Sequence, residues 1–177
     1  MYFVTGNKGK FKEASLVIPG LKQADLGVPE IQADTLEEVA RFSIEHAYAR
    51  LHEPCFVEDA GLFVHALKGF PGPYSKFVNH TLDCGGLLKL MQGEKDRGAY
   101  FEACIAYHDG KKVHTFTGRC DGTIALAGKG RTGFGFDPVF LPEGSKKTFA
   151  EDEGYKNTVS HRRRALDGLT AFLNARK

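Results

Sequence analysis

The sequence predicts an α/β fold, and an alternation of two patterns carries that prediction. Short apolar runs suited to buried strands occur at residues 2–4 and 55–57, and residues 21–26 between them are predicted to form a further strand. Between them lie a segment with helical character at residues 11–18 and a longer one that opens at Thr35, whose apolar positions fall on one stripe. Strands that alternate with helices in this way are typical of a sheet with helices packed on its faces.

Composition sets bounds on size, partners and location. With 177 residues, of which 42% are hydrophobic, the chain is long enough to form one domain over residues 1–177 with a substantial core. The formal net charge of +2 gives no broad basic field, so we expect neither a nucleic acid nor a membrane as partner. The first residues lack a secretory pattern, and no apolar run approaches the roughly 20 residues of a membrane span. We therefore expect a cytoplasmic protein, in which the 4 widely separated cysteines are reduced and buried.

Two adjacent carboxylates, Glu58 and Asp59, follow the third apolar run. The small residues Ala60 and Gly61 come next and predict a turn before a further strand at residues 62–67. Both acids would then lie at a strand end, which is where ligands bind in open α/β sheets. Carboxylate oxygens suit a hard cation such as Mg²⁺, so the pair is a candidate metal site. The alternative is an exposed acidic turn.

A polar loop joins the first strand to the first helix, and it has the features of a phosphate-binding turn. Its residues are Thr5, Gly6, Asn7, Lys8, Gly9 and Lys10. Backbone amides at the start of a helix, the positive end of the helix dipole and two lysines would together attract phosphate. The loop does not have the Gly-x-x-x-x-Gly-Lys-Ser/Thr pattern of a Walker A motif. The alternative is an ordinary strand-to-helix turn with solvated lysines.

The second helix starts with the residues of a capping box. Thr35 is followed three positions later by Glu38, whose carboxylate can reach back to the Thr35 amide while the Thr35 hydroxyl caps the helix. The apolar stripe of this helix lies on the side opposite Glu38. Glu38 is therefore either a helix cap or a metal ligand.

The middle of the chain predicts connecting structure and a hairpin. Two prolines and two glycines in residues 69–75 fix a rigid loop that either walls a pocket or turns a corner. Residues 99–107 and 112–119 are strand-like and meet at an Asp-Gly pair, residues 109–110, which is favoured in hairpin turns. Residues 143–154 are charged and predict a loop.

Glycines alternate with aromatic rings near residue 134. Phe134, Gly135 and Phe136 are followed by Asp137. Aromatic faces held by small neighbours suit stacking on a heterocyclic base, a contact worth about 1–3 kcal/mol. The alternative is that these rings are ordinary core.

The last helix begins after Ser160, a residue typical of helix N-caps. Its first turn, residues 161–164, is cationic throughout, although the helix dipole disfavours positive charge there by about 0.3–1 kcal/mol. A nearby anion would explain this arrangement. At about 100° per residue, Arg162 projects along the apolar stripe and His161 lies at its margin, so we expect both to face the site. A basic, solvated surface is the alternative.

Five motifs together resemble one family. They occur in chain order and are Thr5-Gly6-Asn7-x-x-Lys10, Glu58-Asp59-Ala60-Gly61-Leu62, Pro71-Gly72-x-Tyr74-Ser75, Gly133-Phe134-Gly135-Phe136-Asp137-Pro138 and Ser160-His161-Arg162. The sequence resembles the Ham1-like inosine triphosphate pyrophosphatases over nearly its whole length. The resemblance implies an elongated mixed β-sheet with flanking helices that form two lobes around a central cleft, in a homodimer. It also implies Mg²⁺-dependent hydrolysis of the non-canonical purine nucleotides ITP, dITP and XTP to the monophosphate and pyrophosphate.

The resemblance also assigns roles to residues at matching positions. Asp59 would be the general base and, with Glu38, a ligand of Mg²⁺. The loop from Thr5 to Lys10 would hold the triphosphate. Contacts with the nucleotide and its base are implied for Ala60, Phe134, Gly135, Phe136, Asp137, Lys156, His161 and Arg162. Ala60 stands where the family often has serine, so a hydroxyl contact is lost there.

Purine selection and two rival functions follow from this interpretation. Hypoxanthine and xanthine have a 6-oxo acceptor where adenine has an amino donor, so donors such as Arg162 near that edge would reject ATP. One rival function is a binding module that uses the phosphate loop without chemistry. The other is a pyrophosphatase for modified pyrimidine triphosphates.

Overall fold

A computed structural model of the protein describes residues 1–29 and 31–176. The strands are β1 (Tyr2–Val4), β2 (Lys22–Ala24), β3 (Cys55–Val64), β4 (Pro71–Gly72), β5 (Gly98–His108), β6 (Val113–Ile124) and β7 (Phe140–Pro142). The α-helices are α1 (Lys8–Ser15), α2 (Leu36–Leu51), α3 (Ser75–Thr81), α4 (Asp83–Leu90), α5 (Glu153–Val159) and α6 (His161–Asn174). Within the described residues, the strands form one sheet in the order β2-β1-β3-β5-β6-β7, with β4 beside β3. The sheet is mixed, because β1 pairs in parallel with β2 and β3 and the other pairs are antiparallel, which confirms the predicted fold class.

Helices cover both faces of the sheet. Phe56 of β3 packs in one apolar cluster with Ala14 of α1 and Leu166 of α6. Val57 packs on the opposite face with Ala40 of α2. A third cluster fills the end of the sheet where α3, α4 and β7 lie. Because successive strand residues point to opposite faces, neighbouring residues of β3 face different helices.

The prediction of a turn at Ala60 and Gly61 is wrong, because β3 continues through both residues. All 10 residues of this strand are paired with β5. Gly61 is small for a different reason, since a Cβ at this position would lie 2.3 Å from the carbonyl oxygen of Gly72 in β4. Glu58 and Asp59 therefore lie in the interior of a long strand rather than at its end.

The edge of β3 that faces away from β5 is paired only in part. In the described structure, β1 pairs with residues 55–56 and β4 pairs with residues 62–63. Residues 57–61 therefore form an open stretch between the end of β1 and β4. We call this stretch the open edge of β3. Side chains on either face of β3 lie next to the open edge, because successive residues of a strand point to opposite faces and the edge borders both.

Most of the other predicted elements are confirmed, but the short helices α3 and α5 were not predicted. β5 and β6 form the predicted hairpin, and the helix that opens at Thr35 is α2. The loop predicted at residues 143–154 ends at Glu153, where α5 begins. The rigid loop at residues 69–75 contains β4, and residues 65–67, predicted as strand, form a short 3-10 helix. Among the described residues, no helix has both the length and the apolar character needed to cross a bilayer.

The first turn of α6 lies directly on β6 at Gly118. A Cβ on Gly118 would lie 2.1 Å from the carbonyl oxygen of His161 and 2.4 Å from the amide nitrogen of Ala165. A glycine in a strand is typical of places where another backbone approaches this closely. Because the same helical turn contains His161 and Arg162, Gly118 sets the position of both side chains.

Gly118→Ala should lower the free energy of unfolding by about 1–3 kcal/mol, because the added methyl group overlaps backbone atoms of α6. Gly168→Ala is the matched control in α6, since its Cβ would lie 3.5 Å from Phe116, an ordinary contact. Alanine favours a helix over glycine by about 1 kcal/mol, so the control should be at least as stable as the wild type. Chemical denaturation measures both variants. Equal stability of the two would show that the packing of α6 does not depend on Gly118.

Candidate active site

The open edge of β3 borders a cavity of about 890 Å³. The loop after β1 lines one side with Thr5 and Asn7. Glu58 and Asp59 line the sheet side, although their side chains leave β3 on opposite faces. Phe134 lines a further side, in the loop between β6 and β7. A cavity of this size is typical of small-molecule binding sites.

Most of the predicted site residues line this cavity. They are Thr5, Gly6, Asn7, Lys10, Asp59, Ala60, Phe134, Gly135, Phe136, Asp137, Lys156, His161 and Arg162. Lys8, Gly9 and Glu38 do not belong to its lining. The fold therefore brings together segments that are far apart in the sequence, as the interpretation of the motifs predicts.

The loop after β1 is built around the cap of α1. Asn7 Oδ1 accepts a hydrogen bond from the Lys10 amide at 3.0 Å, and the Asn7 amide donates to Thr5 Oγ1 at 3.1 Å. Gly9 lies in the first turn of α1, and a Cβ at this position would lie 2.6 Å from a ring carbon of Phe134. The small size of Gly9 thus allows α1 to contact residues 133–137, which we call the aromatic loop. Gly9 does not line the cavity itself.

Glu58 binds two of the predicted site cations. Its Oε1 accepts from Arg162 Nε at 3.1 Å and lies 3.0 Å from Nη2, and its Oε2 lies 3.1 Å from Lys10 Nζ. Lys10 Nζ also donates to the carbonyl oxygen of Glu58 at 3.0 Å, within the open edge of β3. Burial raises the pKa of Glu58, but the charges of Arg162 and Lys10 outweigh burial and hold that pKa below its ordinary value. Glu58 is therefore ionised at neutral pH.

Glu13 and Asp137 extend this set of ion pairs. Glu13 Oε1 lies 2.7 Å from Lys156 Nζ, and Glu13 Oε2 accepts from Arg162 Nη1. Lys156 Nζ also donates to Asp137 Oδ2 at 2.6 Å, and the same oxygen accepts from the Phe134 amide at 2.8 Å. Glu13 and Glu58 are the anions that the cationic first turn of α6 predicts. We call these side chains the buried ion network, which consists of Lys10, Glu58, Arg162, Glu13, Lys156 and Asp137.

Burial and neighbouring charges also have opposite effects on the pKa values of Glu13, Asp137 and Arg162. At Glu13, burial raises the pKa, but Arg162 and Lys156 outweigh it and hold the pKa below its ordinary value. At Asp137, burial outweighs the contact with Lys156 and raises the pKa above its ordinary value. Burial lowers the pKa of Arg162, yet Glu58 and Glu13 raise it above the ordinary value. The charges of Glu13 and Arg162 are therefore tolerated in the interior because of their partners, whereas burial makes Asp137 harder to ionise.

His161 contributes a neutral ring to the wall of the cavity. It is 3% exposed and stacks on Phe101, with 4.6 Å between the ring centroids. Burial first, and then the positive charges of Arg162, Lys156 and Lys10, lower the pKa of His161 well below its ordinary value. Its Nδ1 is buried and has no hydrogen-bond partner in the described part of the chain. A neutral imidazole offers one hydrogen-bond donor and one acceptor, so the ring could form hydrogen bonds with the edge of a bound base.

The two predicted metal ligands differ in their surroundings. Asp59 belongs to the lining of the cavity, whereas Glu38 completes the capping box of α2. Glu38 Oε2 accepts from the Thr35 amide at 3.0 Å and from its hydroxyl at 2.8 Å, which confirms the predicted cap. Within residues 1–29 and 31–176, no three His, Cys, Asp or Glu side chains are grouped as metal ligands. The metal roles of Asp59 and Glu38 stay predictions.

Sequence reasoning missed two contributions to the site. Glu13 lies three residues after Lys10, and this spacing places both on one side of α1, which is the signal that could have found it. The short helix α3 also contributes a face of the cavity, made of Lys76, Asn79 and His80. The i, i+3, i+4 spacing of these three residues is helical, but the segment is too short and too polar for its sequence to predict a helix.

Comparison with known proteins identifies the family. A family model described as the Ham1 family matches residues 1–172. The chain belongs to the Ham1 family. The resemblance inferred from the five motifs is thereby confirmed, and the match extends from β1 into α6.

Other Ham1 proteins are similar to this chain over nearly its full length. A dITP/XTP pyrophosphatase from Thermococcus kodakarensis is 53% identical over 176 residues, which cover 97% of this chain and 95% of that protein. A dITP/XTP pyrophosphatase from Pyrococcus horikoshii is 43% identical and covers 98% of this chain and 96% of its own length. The solved structure of the Staphylococcus aureus Ham1 protein has a TM-score of 0.85 at 30% identity, and 100% of each chain is covered.

Lys156→Met should lower the free energy of unfolding by about 3–5 kcal/mol, because it leaves Asp137 buried without a cation and removes one of the two cations that contact Glu13. Lys12→Met is the matched control, since Lys12 forms an exposed ion pair with Glu153 at 2.7 Å and such pairs add little stability. Denaturant titration at neutral pH measures both losses. A loss at position 156 no larger than that at position 12 would contradict the importance of the buried ion network.

Proposed function

We propose that this protein is a nucleoside-triphosphate pyrophosphatase that hydrolyses the non-canonical purine nucleotides ITP, dITP and XTP to the monophosphate and pyrophosphate. Relatives named dITP/XTP pyrophosphatase, similar over nearly the whole chain, support this function. The observation that carries the proposal is the cavity in which the loop after β1, Asp59 and the aromatic loop meet. The proposed location is the cytoplasm, which holds the nucleotide pool on which the enzyme would act.

The triphosphate is proposed to bind along the loop after β1. Backbone amides at the start of α1 and the positive end of its dipole attract phosphate oxygens. Lys10 has three N–H groups, of which one donates to the Glu58 carbonyl oxygen, so N–H groups are left for a phosphate oxygen. This arrangement supports the placement of the most negative part of the substrate beside Thr5, Gly6 and Asn7.

Asp59 is the proposed general base. Its carboxylate orients a water molecule and takes a proton from it as the water oxygen attacks the α-phosphorus. The bond between the α-phosphorus and the oxygen that bridges to the β-phosphorus then breaks. The products are the nucleoside monophosphate and pyrophosphate, and the proton stays on Asp59 until it is released to solvent.

The donor set at the cavity fits Mg²⁺. Asp59 offers carboxylate oxygens, and Mg²⁺ is commonly held by one or two carboxylates together with substrate phosphates and water. Asp59 would hold the ion, and Glu38 would join it after releasing Thr35 from the capping box. When bound, Mg²⁺ neutralises negative charge on the phosphates and on the leaving pyrophosphate.

The base is proposed to bind beside Phe134 and the first turn of α6. Arg162 has five N–H groups, of which Nε–H donates to Glu58 and one on Nη1 donates to Glu13, so N–H groups of the guanidinium are left for a 6-oxo acceptor. Adenine has an amino group at that position and would leave such donors unpaired, which disfavours ATP. The neutral ring of His161 offers a further contact with the same base.

Pyrophosphate release from a panel of nucleotides tests the proposed function. The panel contains ITP, dITP, XTP, ATP, GTP and modified pyrimidine triphosphates, each with Mg²⁺ and after chelation with EDTA. We expect turnover of the first three, with pyrophosphate as product and a requirement for the metal. Orthophosphate release alone, or equal turnover of ATP, would contradict the proposal. Turnover confined to pyrimidine nucleotides would favour the second enzyme, and tight ITP binding without turnover would favour a binding module.

Asp59→Asn tests the proposed general base, because it keeps the shape of the side chain and removes the group that accepts the proton. Its kcat should fall by at least about 100-fold, while its circular dichroism spectrum stays that of the wild type. Asp167→Asn changes an exposed carboxylate of α6 that is paired with Arg163, and it should keep wild-type activity.

We also propose that the partner of this chain is a second copy of itself. The segment of residues 70–82 exposes several large apolar side chains, namely Phe70, Tyr74, Phe77 and Leu82. Tyr74 and Phe77 are three residues apart at the start of α3, so they share one side of it. Apolar side chains gathered on one surface are typical of protein–protein contacts, and the homodimer implied by the family resemblance supports this partner.

Phe77→Lys should convert the dimer into a monomer, because it places a charge in the proposed apolar contact. Leu126→Lys is the control, since Leu126 is 85% exposed and lies in the loop after β6. Light scattering coupled to size-exclusion chromatography gives the mass of each variant. A monomeric wild-type protein, or a dimer that survives the change at Phe77, would exclude this surface.

A further inference from the structure

We propose that Glu58 is a positioning residue that holds Lys10 in the direction needed to bind the substrate triphosphate. The inference rests on the proposed function, and it gives a role in pyrophosphate release to a side chain that does not touch the substrate. Glu58 differs in this respect from its neighbour Asp59, which faces the other side of β3.

Glu58 itself cannot bind a phosphate. Its side chain is 1% exposed, and both carboxylate oxygens face cations, with Arg162 at Oε1 and Lys10 at Oε2. Its negative charge would also repel a triphosphate. Any effect of Glu58 on the reaction must therefore pass through the groups that it binds.

Lys10 is the group through which Glu58 can act. The Lys10 side chain is 17% exposed and lines the cavity, so it connects buried Glu58 with the space available to the substrate. Its ammonium donates to the Glu58 carbonyl oxygen at 3.0 Å and lies 3.1 Å from Oε2. The hydrogen bond to the carbonyl oxygen and the ion pair with Oε2 together hold the ammonium beside Glu58, and they limit the directions that its other N–H groups can take. Without Glu58, the flexible lysine stem would sample several rotamers and would have to be ordered during binding.

Glu58 is anchored from its other side. Arg162 contacts Oε1 with Nε at 3.1 Å and with Nη2 at 3.0 Å, and Glu13 accepts from the opposite end of the same guanidinium. The carboxylate is thus fixed by β3 and by α6 before a substrate arrives. A cation that is already in position binds developing or transferred charge without reorganisation, which is the advantage of a preorganised site.

A double-mutant cycle with Glu58→Gln and Lys10→Met tests this coupling. Glutamine keeps the length of the side chain and can still accept from Arg162, but it removes the charge that attracts Lys10. We expect kcat/KM for XTP to fall about 10-fold in Glu58→Gln and about 100-fold in Lys10→Met. The double variant should also fall about 100-fold, because Glu58 has no effect once the lysine is absent. Fold-changes that multiply to about 1,000-fold would overturn the inference.

The inhibition constant of pyrophosphate distinguishes a positioning role of Glu58 from a purely structural one, because a purely structural role would leave this constant unchanged. Pyrophosphate competes for the phosphate end of the site alone. Its inhibition constant should rise about 10-fold in Glu58→Gln and should be the same in Lys10→Met with or without the change at Glu58. An unchanged inhibition constant in folded Glu58→Gln would show that Glu58 does not position Lys10.

Glu13→Gln is the matched control for the cycle. It removes the other carboxylate on Arg162, and none of its contacts in the described structure involves Lys10. Because Glu13 reaches Lys10 among the described residues only through Arg162 and Glu58, its fold-change should couple to that of Lys10→Met more weakly than the fold-change of Glu58→Gln does. Glu58→Asp is the second variant if Glu58→Gln does not fold, because it keeps the negative charge of the network and withdraws the carboxylate from Lys10 by one methylene group. The fold-changes in kcat/KM of Glu58→Asp and Lys10→Met should likewise not multiply in the double variant.

The outcomes separate this inference from the proposed function. A folded wild-type protein that releases no pyrophosphate overturns the proposed function. An active wild type in which the changes at Glu58 and Lys10 act independently overturns the positioning role alone. Circular dichroism and thermal unfolding of each variant establish that kinetic effects come from folded protein.

Discussion

The buried ion network is the constraint on which the rest of this structure depends. Its members come from α1, β3, α5, α6 and the aromatic loop, so segments that are far apart in the sequence each contribute at least one charge. Apolar packing alone tolerates small shifts of a helix, because burial has little directional preference. Charges paired at 2.5–3.1 Å do not tolerate such shifts, since the loss of a partner leaves a buried charge without compensation. The network therefore fixes the positions of these elements relative to one another.

The network can reach a cavity because β3 is longer than the strand beside it. β1 ends at Val4, where the chain turns into the loop that caps α1, while β3 continues to Val64. A longer β1 would pair with the open edge of β3 and would compete with Lys10 for the carbonyl oxygen of Glu58. The early end of β1 thus creates the opening, and the opening gives Glu58 and Asp59 access to one cavity from opposite faces of the sheet.

Local sequence patterns predicted local structure correctly, whereas contacts between residues far apart in the sequence became evident only in the structure. The capping box of Thr35 and Glu38 needs only neighbours in sequence, and it is present as predicted. The turn at Gly61 was wrong because a small residue is equally suited to the approach of a distant backbone, here that of Gly72. The motifs predicted most residues of the site, but the partners of Arg162 could not be predicted, because the pairing spans more than 100 positions and leaves no local periodicity.

The two ends of the proposed substrate are held by one connected set of contacts. Gly9 brings the first turn of α1 against Phe134, and the amide of Phe134 donates to Asp137, which accepts from Lys156. A shift of α1 that changed the phosphate contacts of Lys10 would therefore also displace the ring proposed to contact the base. Lys156 Nζ lies 4.5 Å from the centre of that ring, so the same shift would disturb a buried charge. If the substrate binds as proposed, recognition of the purine and placement of the triphosphate would depend on one structural unit, and a change that shifts one would also disturb the other.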